Sequence, residues 1–556
     1  MKKKHLHLPL GILLLGACTQ PLQAGVWIGS QPTKSAWWGT GGNWDNNAGP
    51  NNTTNTTQNQ AWFLMGTFGA GTNAVTDNVN INNTKDVNDN LIPRKAYYLR
   101  VGVGKTVNLN FTGHLELNPG VASVFGTSEY SGNTGTGAST TNFSRTAEGY
   151  MDVKLGQFYV GYDLLNGSNG HALNFSGELN VSDTGNVLNS VVGFRGSDNR
   201  MTIKEKAKLN LYGLSISSSV SYKGNLVTVA DADSSLNVRE TLSVGSNAFT
   251  PEGATAQEIY DGAARLNGVE VSNGAHVSIK TLGIGRAENA RSNYLHIEGE
   301  GSEVAVSAST FIGVAGDTSL GGNEVTISGG GELKTAGSIF IAGHRANDGI
   351  NDGANRLTIA ADGTLTAAQD IDVSGLLQLA EGGTLQTEGS GMAVNVKAGG
   401  RFEAEGSGLG QLVSASLENG GTLALGVGEG RTSAATLQLD SAIVSDGGIL
   451  ELTAWSGTSI DRIEFLADGS LTGTITLTIN PEGFAFSEGD RWTLFTGETD
   501  GAISAVFDFS QLGFPVDTSL FNQEGGWQLA VIPEPSTYAL IGAGGLLLLA
   551  WRRRKG

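Results

Sequence analysis

The feature that most constrains the fold of this 556-residue chain is a recurring set of short apolar strands. An apolar–polar–apolar triplet begins at Met201, Val227, Val269, Leu295, Val325 and Leu357. The spacing between Met201 and Val227 recurs between Val269 and Leu295, and the other spacings are longer. A recurring short period indicates stacked units, because one unit alone buries little apolar surface and needs its neighbours. We interpret the short spacing as the basic unit and the longer ones as that unit with loop insertions.

Each unit carries a second apolar strand, and several carry a third that ends in glycine, as in Thr241–Gly245 and Thr281–Gly285. Three strands and three turns per unit predict an all-β fold, a right-handed parallel β-helix with one coil of about 26 residues per unit. The composition agrees, since the 82 glycines can adopt the left-handed conformations that tight corners require. A series of antiparallel β-sandwiches is the alternative, and the constant spacing and shared strand order disfavour it.

The patterns divide the chain into five predicted regions. We assign 1–24 to a signal peptide, 25–96 to a Trp- and Asn-rich N-terminal cap region, 97–430 to the β-helix, 431–531 to a C-terminal β-rich domain, and 532–556 to a sorting tail with a short transmembrane helix.

Four tryptophans in the cap region, Trp27, Trp37, Trp38 and Trp44, are expected to cover the first coil. A β-helix needs such a cover because an exposed edge strand invites aggregation. A platform on which carbohydrate rings stack is the alternative for these side chains.

The C-terminus joins three elements in a fixed order. Pro533, Glu534 and Pro535 form an extended segment, because each proline fixes its own φ and biases the preceding residue away from the helix. The uncharged stretch 537–551 follows, and as a helix it would reach about 22 Å, which is short for a membrane span. Four basic residues then form a cytoplasmic stop, Arg552, Arg553, Arg554 and Lys555.

This arrangement resembles the PEP-CTERM protein-sorting tail, which exosortase-type enzymes process in Gram-negative envelopes. The resemblance implies export, transient anchoring in the inner membrane, and release to the cell surface, the outer envelope or the extracellular matrix. An ordinary C-terminal membrane anchor is the alternative.

The N-terminus agrees with export. Three lysines precede the apolar stretch 8–17, which together predict a secretory signal for the Sec translocon. We place signal-peptidase cleavage after Ala24. The alternative is lipidation of Cys18, the only cysteine, within the lipobox-like Leu15–Cys18. Cleavage at Ala24 would leave a chain without thiol chemistry.

The repeat unit also resembles a known family. A triplet, a glycine turn, a second strand and a strand ending in Val-Gly or Ile-Gly are similar to the passenger-associated β-helix repeat of autotransporters. The tryptophan-rich segment from Val26 to Trp44 resembles the opening of many PEP-CTERM proteins with such repeats.

Charge and motifs bear on function. The formal net charge of −19 argues against nucleic acid as a partner, and it disfavours acidic polysaccharide unless cations bridge the two. The histidines His114, His171, His276, His296 and His344 are scattered, and we expect surface or turn positions for them rather than catalytic ones. Carboxylates do not accumulate at one phase of the repeat, so we predict no enzyme and no cofactor.

One oxygen-rich string, residues 86–90, is similar to the calcium-binding linker motif of cadherins. Its candidate ligands are Asp86, Asn88, Asp89 and Asn90, since closely spaced oxygens suit a hard cation. A second string of this kind spans 347–353. Turns that are simply rich in Asn and Asp are the alternative for both, so we assign no firm metal site.

Two functional classes follow from these observations. The first is an exported structural or adhesin-like β-helix whose flanks bind extracellular polysaccharide or surface glycans. The second is a secreted polysaccharide-active lyase or hydrolase on the same fold. We favour the first. A smooth Ser/Thr/Asn face on the folded coil would support it, whereas a carboxylate cluster in one groove would support the enzyme.

Overall fold

The fold was taken from a computed structural model of the whole chain. The structure describes short segments between 25 and 117, most of 122–532, and residues 546–547 and 551–554. Within 122–532 it leaves out 128–137, 146–151, 156, 162–168, 184–188, 195, 218–222, 246–264, 288–289, 314–320, 344–353, 388–392, 406–411, 427–432, 467–469, 488, 498–504, 513 and 518–526.

Three long parallel sheets wind around one core. We name them sheets 1, 2 and 3 in the order in which each turn visits them. The strands of sheet 1 are Thr76–Asn82, Thr106–Thr112, Thr140–Arg145, Ala172–Ser176, Arg200–Lys204, Leu226–Ala230, Gly268–Ser272, Tyr294–Glu298, Glu324–Ser328, Arg356–Ile359, Leu376–Leu379, Arg401–Ala404 and Thr422–Leu425.

The strands of sheet 2 are Arg94–Ala96, Leu115–Leu117, Asp152–Leu155, Asn180–Asp183, Lys208–Leu211, Glu303–Val306, Glu332–Thr335, Thr364–Ala367 and Thr384–Thr387. The strands of sheet 3 are Gly25–Val26, Ala61–Phe63, Leu99–Gly102, Ser123–Thr127, Phe158–Val160, Asn189–Val192, Gly213–Ile216, Thr310–Ile312, Ile339–Ile341, Ile371–Val373, Ala393–Val396 and Leu412–Leu417. Two longer strands, Ser235–Val244 and His276–Ile284, bend around the corner and contribute to both sheets 2 and 3.

The strand pairings confirm the parallel β-helix and exclude the antiparallel sandwich. The triplet at Met201 pairs in parallel with the one at Val227, and Val227 pairs with Val269. The register continues through Leu295, Val325 and Leu357 in the same way. Every spacing read from the sequence between 201 and 357 is therefore one full turn of the solenoid.

Alternate strand positions fill the interior. Met201 and Ile203 are fully buried on one turn, and Val227 and Val229 are fully buried on the next. Each such side chain lies over its equivalent one rung away, about 4.8 Å along the axis. Burial of each aliphatic side chain contributes about 1.5 to 3 kcal/mol, so stability accumulates turn by turn.

A ladder of buried asparagines runs along one corner of the solenoid. Its members stand immediately before sheet 1 strands and are fully buried: Asn199, Asn225, Asn267, Asn293, Asn323 and Asn355. The side-chain amide of each donates to the side-chain oxygen of the next at 2.8 to 3.0 Å. The backbone N–H of each donates to that same oxygen at 3.1 to 3.3 Å. The ladder satisfies polar groups that the corner would otherwise bury unpaired.

The ladder explains the glycines that end the third strand. Gly193 has φ of 79°, and a Cβ placed there would lie 2.3 Å from the Asn225 side chain. The equivalent Gly285 has φ of 67° and would meet Asn323 at 2.2 Å. Both the left-handed backbone and the close amide therefore require glycine.

Later turns are shorter than the predicted unit. Thr358 and Gln378 are paired neighbours separated by 20 residues, and Asp372 and Asn395 are separated by 23. In these turns sheet 3 runs almost directly into sheet 1. The predicted unit thus describes the middle of the solenoid, while its minimal turn is smaller.

Parallel pairing continues beyond residue 430. Thr436–Ser456 pairs in parallel with Leu412–Leu417, Arg462–Phe465 and Ser470–Pro481. Arg462–Phe465 pairs in parallel with Arg491–Gly497, and Ser470–Pro481 with Val506–Asp508. The parallel strand pairing therefore continues across the predicted boundary at 431. A separate domain there stays a prediction.

The C-terminal end of the solenoid is closed by antiparallel pairing. Trp527–Val531 pairs antiparallel with Arg491–Gly497 and with Val516–Asp517. Other short antiparallel strands are Ser459–Ile460, Thr67–Phe68 with Gly71–Thr72, and Thr84–Lys85 with Leu91–Ile92. Residues 546–547 and 551–554 are helical.

Candidate functional site

A hydrogen-bonded group of titratable side chains lies on the outer face of sheet 1. Tyr294 pairs in register with Glu324, which pairs with Arg356, and His296 lies beside Glu270. These five residues come from four consecutive turns, so no short sequence motif marks them. We call them the sheet 1 cluster.

Hydrogen bonds connect the members of the cluster. His296 Nε2 donates to Glu324 Oε1 at 3.1 Å, and Arg356 Nε donates to Glu324 Oε2 at 2.8 Å. Tyr294 Oη donates to Glu270 Oε1 at 3.4 Å, and its ring packs against His296 with centroids 4.5 Å apart. The Tyr294 ring has room because position 268 is a glycine. A Cβ at Gly268 would lie 2.1 Å from the ring.

These contacts move two pKa values away from neutrality. The hydrogen bond from His296, together with Arg356, lowers the pKa of Glu324 to about 2 although partial burial opposes the shift. Burial, reinforced by the Glu270 carboxylate, raises the pKa of Tyr294 to about 12. Glu324 thus stays ionised and Tyr294 stays protonated near neutral pH. Neither has the near-neutral pKa that suits a general acid or base.

Outside this cluster, the sheet 1 face toward the N-terminus carries amides and hydroxyls. Asn174 donates its amide to Asn142, which donates to Asn108, at 2.8 and 2.7 Å. Ser144 donates to Asn110 at 3.1 Å, and the in-register Thr202 extends the Asn174 row. This second ladder lies on the half-exposed outer face. It is a local face of asparagine, serine and threonine side chains.

The predicted site residues are distributed unevenly over the described part of the chain. Arg552, Arg553 and Arg554 are exposed on helical residues 551–554. The remaining predicted residues lie outside the described residues: Cys18, Ala24, Asp86, Asn88, Asp89, Asn90, Pro533, Glu534, Pro535 and Lys555, together with the four cap tryptophans, His114, His344 and the string 347–353. Among the described residues no grouping of three or more His, Cys, Asp or Glu side chains could hold a metal ion.

One histidine, His171, is buried, although a surface or turn position was expected for it. His171 is 1% exposed, and its Nδ1 accepts the backbone N–H of Ser139 at 2.9 Å. The backbone N–H of His171 donates to Asn199 Oδ1 at 3.0 Å, so it extends the buried ladder by one turn. His296 lies on the outer face as expected, within the sheet 1 cluster, and its side chain is 42% exposed. His276 is exposed, as expected.

The sorting tail begins where the solenoid ends. The last strand finishes at Val531, and the N–H of Ile532 donates to the carbonyl of Pro515 at 3.1 Å. Pro533 is the next residue, so folded structure reaches the edge of the Pro-Glu-Pro segment. Within the part of the tail that is described, Leu546, Leu547 and Trp551 are more than half exposed. None of the described helical segments has the length and apolar character needed to cross a membrane.

Comparison with protein families decides the nature of the tail. Residues 531–555 match the family model of the PEP-CTERM protein-sorting motif. The chain carries a PEP-CTERM sorting signal. Comparison with curated proteins gives no match. The match covers only the tail.

The PEP-CTERM signal fixes the coarse features of the protein's route. It implies export, sorting at the membrane of a Gram-negative bacterium and processing by exosortase. The solenoid upstream of the PEP-CTERM signal is therefore the exported part. The sequence predicted both the signal and its position. The Pro-Glu-Pro segment, the apolar stretch and the basic residues can each be recognised without tertiary structure.

Proposed function

We propose that this protein is a non-catalytic, structural or adhesin-like β-helix of the cell surface or extracellular matrix, delivered through its PEP-CTERM signal. The observation that carries the proposal is the junction of a sorting signal, matched at 531–555, with a continuous parallel solenoid. A solenoid presents long flanks of regularly spaced side chains, which suit contact with an extended polymer.

The pKa values of Glu324 and Tyr294 support a non-catalytic role for these two side chains. Glu324 is held ionised by His296 and Arg356, and Tyr294 is held protonated. An enzyme that cleaves polysaccharide by proton transfer needs groups that exchange protons near its working pH. Fixed charges and fixed donors instead suit stable recognition of polar groups.

The partners beyond exosortase belong to the proposal. Export through the Sec translocon and removal of the signal peptide after Ala24 fit the charged and apolar segments of the N-terminus. Extracellular polysaccharide or surface glycans fit the amide and hydroxyl face formed by Asn108, Asn142 and Asn174.

Delivery is tested by replacing Pro533, Glu534 and Pro535 with alanine in the full chain. We expect the variant to remain in the inner membrane, measured by fractionation and surface labelling. A matched control replaces the exposed Pro481 and Glu482, a second Pro-Glu pair that lies on the solenoid. The control should reach its normal location. Normal surface delivery of the tail variant would contradict the proposed route.

A polysaccharide-active enzyme is the second candidate, and the sheet 1 cluster is the observation that favours it. Tyr, His, Glu and Arg together can bind a sugar carboxylate and accept the proton of the adjacent carbon while the bond to the leaving sugar breaks. A turnover assay on linear polysaccharides, with Tyr294→Phe as the comparison, separates the two. Depolymerisation that is lost in Tyr294→Phe would replace our proposal with the enzyme.

A further inference from the structure

Three planar groups stack along the outer face of sheet 3. Phe311 and Phe340 are in-register neighbours on consecutive turns, and each points outward between two buried residues of its strand. Their rings lie nearly parallel, with centroids 5.1 Å apart and planes inclined by 12°. The Arg286 guanidinium covers the Phe311 ring from the preceding turn, 4.3 Å from its centroid. Because each member comes from the next turn, the stack runs along the solenoid axis.

The local sequence holds this stack in place. Gly283 stands in register with Phe311, and a Cβ there would lie 2.3 Å from Arg286 Cδ. Glycine therefore lets the arginine side chain fold across position 283 onto the ring, where the cation is attracted to the aromatic face. Both rings are half-buried, so a ligand has little side-chain freedom left to remove. The stack is a rigid platform.

The stack ends at Phe340. The residue in register on the next turn is Asp372, whose side chain is shorter and not aromatic. In the described part of the chain, the ring contact of Phe340 is with Phe311 alone. On its own strand Phe340 is flanked by small residues, Ser338 and Ala342. One face of the Phe340 ring therefore meets Phe311, and the other face is turned toward the Asp372 turn.

Polar atoms with spare hydrogen-bonding capacity lie beside this second face. Asn395 is in register with Asp372, and its amide donates to Asp372 Oδ1 at 3.0 Å. Lys397 Nζ lies 3.6 Å from the same oxygen. Among the described residues these contacts occupy one carboxylate oxygen and leave Asp372 Oδ2 and Asn395 Oδ1 to accept from hydroxyl groups. The Asp372 side chain is 30% exposed, so a ligand can reach it.

The charges around the face disfavour an acidic ligand. Asp370 lies 3.5 Å from the Asn395 amide, and Glu418 contacts Lys397 at 2.9 Å. With Asp372, these make three carboxylates around one ammonium group. An acidic sugar would be repelled, whereas an uncharged sugar can donate its hydroxyls to the carboxylates.

A sugar fits this face better than a peptide does. A sugar ring has an apolar C–H face with hydroxyl groups at its edge, which matches an aromatic face bordered by acceptors. A peptide would gain affinity from an open strand edge or an apolar groove. The strand Ile339–Ile341 is already paired on both sides, and Ser338 and Ala342 are too small to form such a groove.

We propose that the Phe340 face binds a sugar ring of a polysaccharide without acidic groups, with Asp372 and Asn395 accepting hydrogen bonds from its hydroxyls. The inference rests on the proposed non-catalytic surface function and names its ligand class and one binding site.

The test measures binding of the full chain in detergent, at physiological salt, to a neutral β-glucan, a neutral galactomannan and polygalacturonate. We expect at least one neutral polymer to bind at least about tenfold more tightly than polygalacturonate. Phe340→Ala removes the aromatic contact and should weaken that binding about tenfold. Phe340→Tyr keeps the ring and should bind within about twofold of the unchanged protein. Asp372→Ala removes a charged acceptor and should also weaken binding about tenfold.

Tyr159→Ala is the matched control. Tyr159 occupies the same outward row of sheet 3, on the strand Phe158–Val160, but its ring packs against Phe194 with centroids 4.9 Å apart. It should bind like the unchanged protein, and urea denaturation checks that each variant is folded. Equal binding by Phe340→Ala, Asp372→Ala and Tyr159→Ala would overturn the site while leaving the surface function intact.

The polymers test the ligand class separately. Binding of polygalacturonate as tight as that of the better neutral polymer would overturn the class, and failure of all three polymers to bind would overturn the site. Depolymerisation of a bound polymer would instead contradict the proposed function itself.

Discussion

Two stretches of the same solenoid carry different residues at the corner that precedes each sheet 1 strand. From residue 199 to 355 the position before each sheet 1 strand is a buried asparagine. From 375 to 448 the corresponding position is glycine, at Gly375, Gly400, Gly421 and Gly448. The equivalence is set by the backbone, since Leu376 donates to the Asn355 carbonyl and Arg401 donates to the Gly375 carbonyl.

The length of the turn accounts for the difference. In the asparagine turns, additional residues separate the end of sheet 3 from the start of sheet 1, as between Gly245 and Arg265. The asparagine side chain then fills the corner and pairs its polar groups. In the glycine turns sheet 1 follows sheet 3 almost directly, and the backbone itself occupies that space. A Cβ at Gly375 would lie 2.3 Å from the Asn355 carbonyl oxygen.

The comparison teaches that the asparagine corners accompany the longest insertions. Successive ladder asparagines are separated by 26 to 42 residues. A side-chain amide that bonds both above and below holds the corner in register whatever the length of the loop before it. Glycine corners carry no such device, and the turns between them are 25, 21 and 27 residues long.

The largest expected effect comes from a substitution at a glycine corner. In Gly400→Ala the new Cβ would lie 1.9 Å from the carbonyl oxygen of Val373, which is backbone and cannot move alone. We expect the free energy of unfolding to fall by more than about 3 kcal/mol. Urea denaturation followed by circular dichroism measures the change.

The matched control is Gly420→Ala, where no neighbouring atom lies within 4 Å but φ is 80°. It should cost only about 1 to 2 kcal/mol, from backbone strain alone. Similar losses in the two variants would show that steric closure of the corner is not what glycine provides.

The next largest effect is expected from a substitution in the asparagine ladder. In Asn267→Ala, the backbone N–H and the side-chain amide of Asn225 lose their shared acceptor, Asn267 Oδ1, at 3.1 and 3.0 Å. Asn293 Oδ1 loses the side-chain amide of Asn267 that donates to it. Because these groups are buried, we expect a loss of about 3 kcal/mol in the same assay. Asn237→Ala removes an exposed asparagine with one 3.3 Å bond and should cost less than about 0.5 kcal/mol. A ladder variant as stable as that control would mean that the ladder does not hold the corner.

A smaller effect concerns acid stability on the asparagine stretch. The pKa of Glu324 is lower in the folded chain, about 2, than its ordinary value of 4.5. Its contribution is therefore full above pH 4.5 and is lost as the pH falls towards 2. We expect Glu324→Gln to remove about 1 to 2 kcal/mol at pH 7, after allowance for partial exposure, and less at pH 2 to 3.

Parallel urea titrations at pH 7 and pH 3 measure this difference. Glu381→Gln, which changes an exposed turn carboxylate, serves as the control and should follow the unchanged protein at both values. If Glu324→Gln destabilises the chain equally at pH 7 and pH 3, the ionised form of Glu324 is not the source of its contribution.

The smallest effect sharpens the comparison between buried and exposed ladders. Asn142 donates to Asn108 at 2.7 Å and accepts from Asn174 at 2.8 Å, much as Asn267 does inside the corner. Because water can replace these partners on the outer face, Asn142→Ala should cost about 0.5 kcal/mol. Thermal melts beside Asn267→Ala measure the contrast. An equal cost for the two would attribute the stabilisation to the bond geometry rather than to burial.

The sequence determined the repeats, the three strands per turn and the sorting tail. Local composition carries each of these: apolar residues at alternate positions mark strands, and Pro-Glu-Pro before an apolar and a basic segment marks the signal. The equivalences from Met201 to Leu357 were even correct residue by residue, because parallel register preserves equivalent positions.

The tertiary structure alone decided what those equivalent positions do. Asn199 and Asn225 lie 26 residues apart, and asparagine is common in turns, so neither residue by itself indicates a buried ladder. The sheet 1 cluster likewise combines residues from four turns. Stacking brings side chains from distant parts of the chain to within hydrogen-bonding distance. Their chemistry therefore belongs to the solenoid and not to any segment of its sequence.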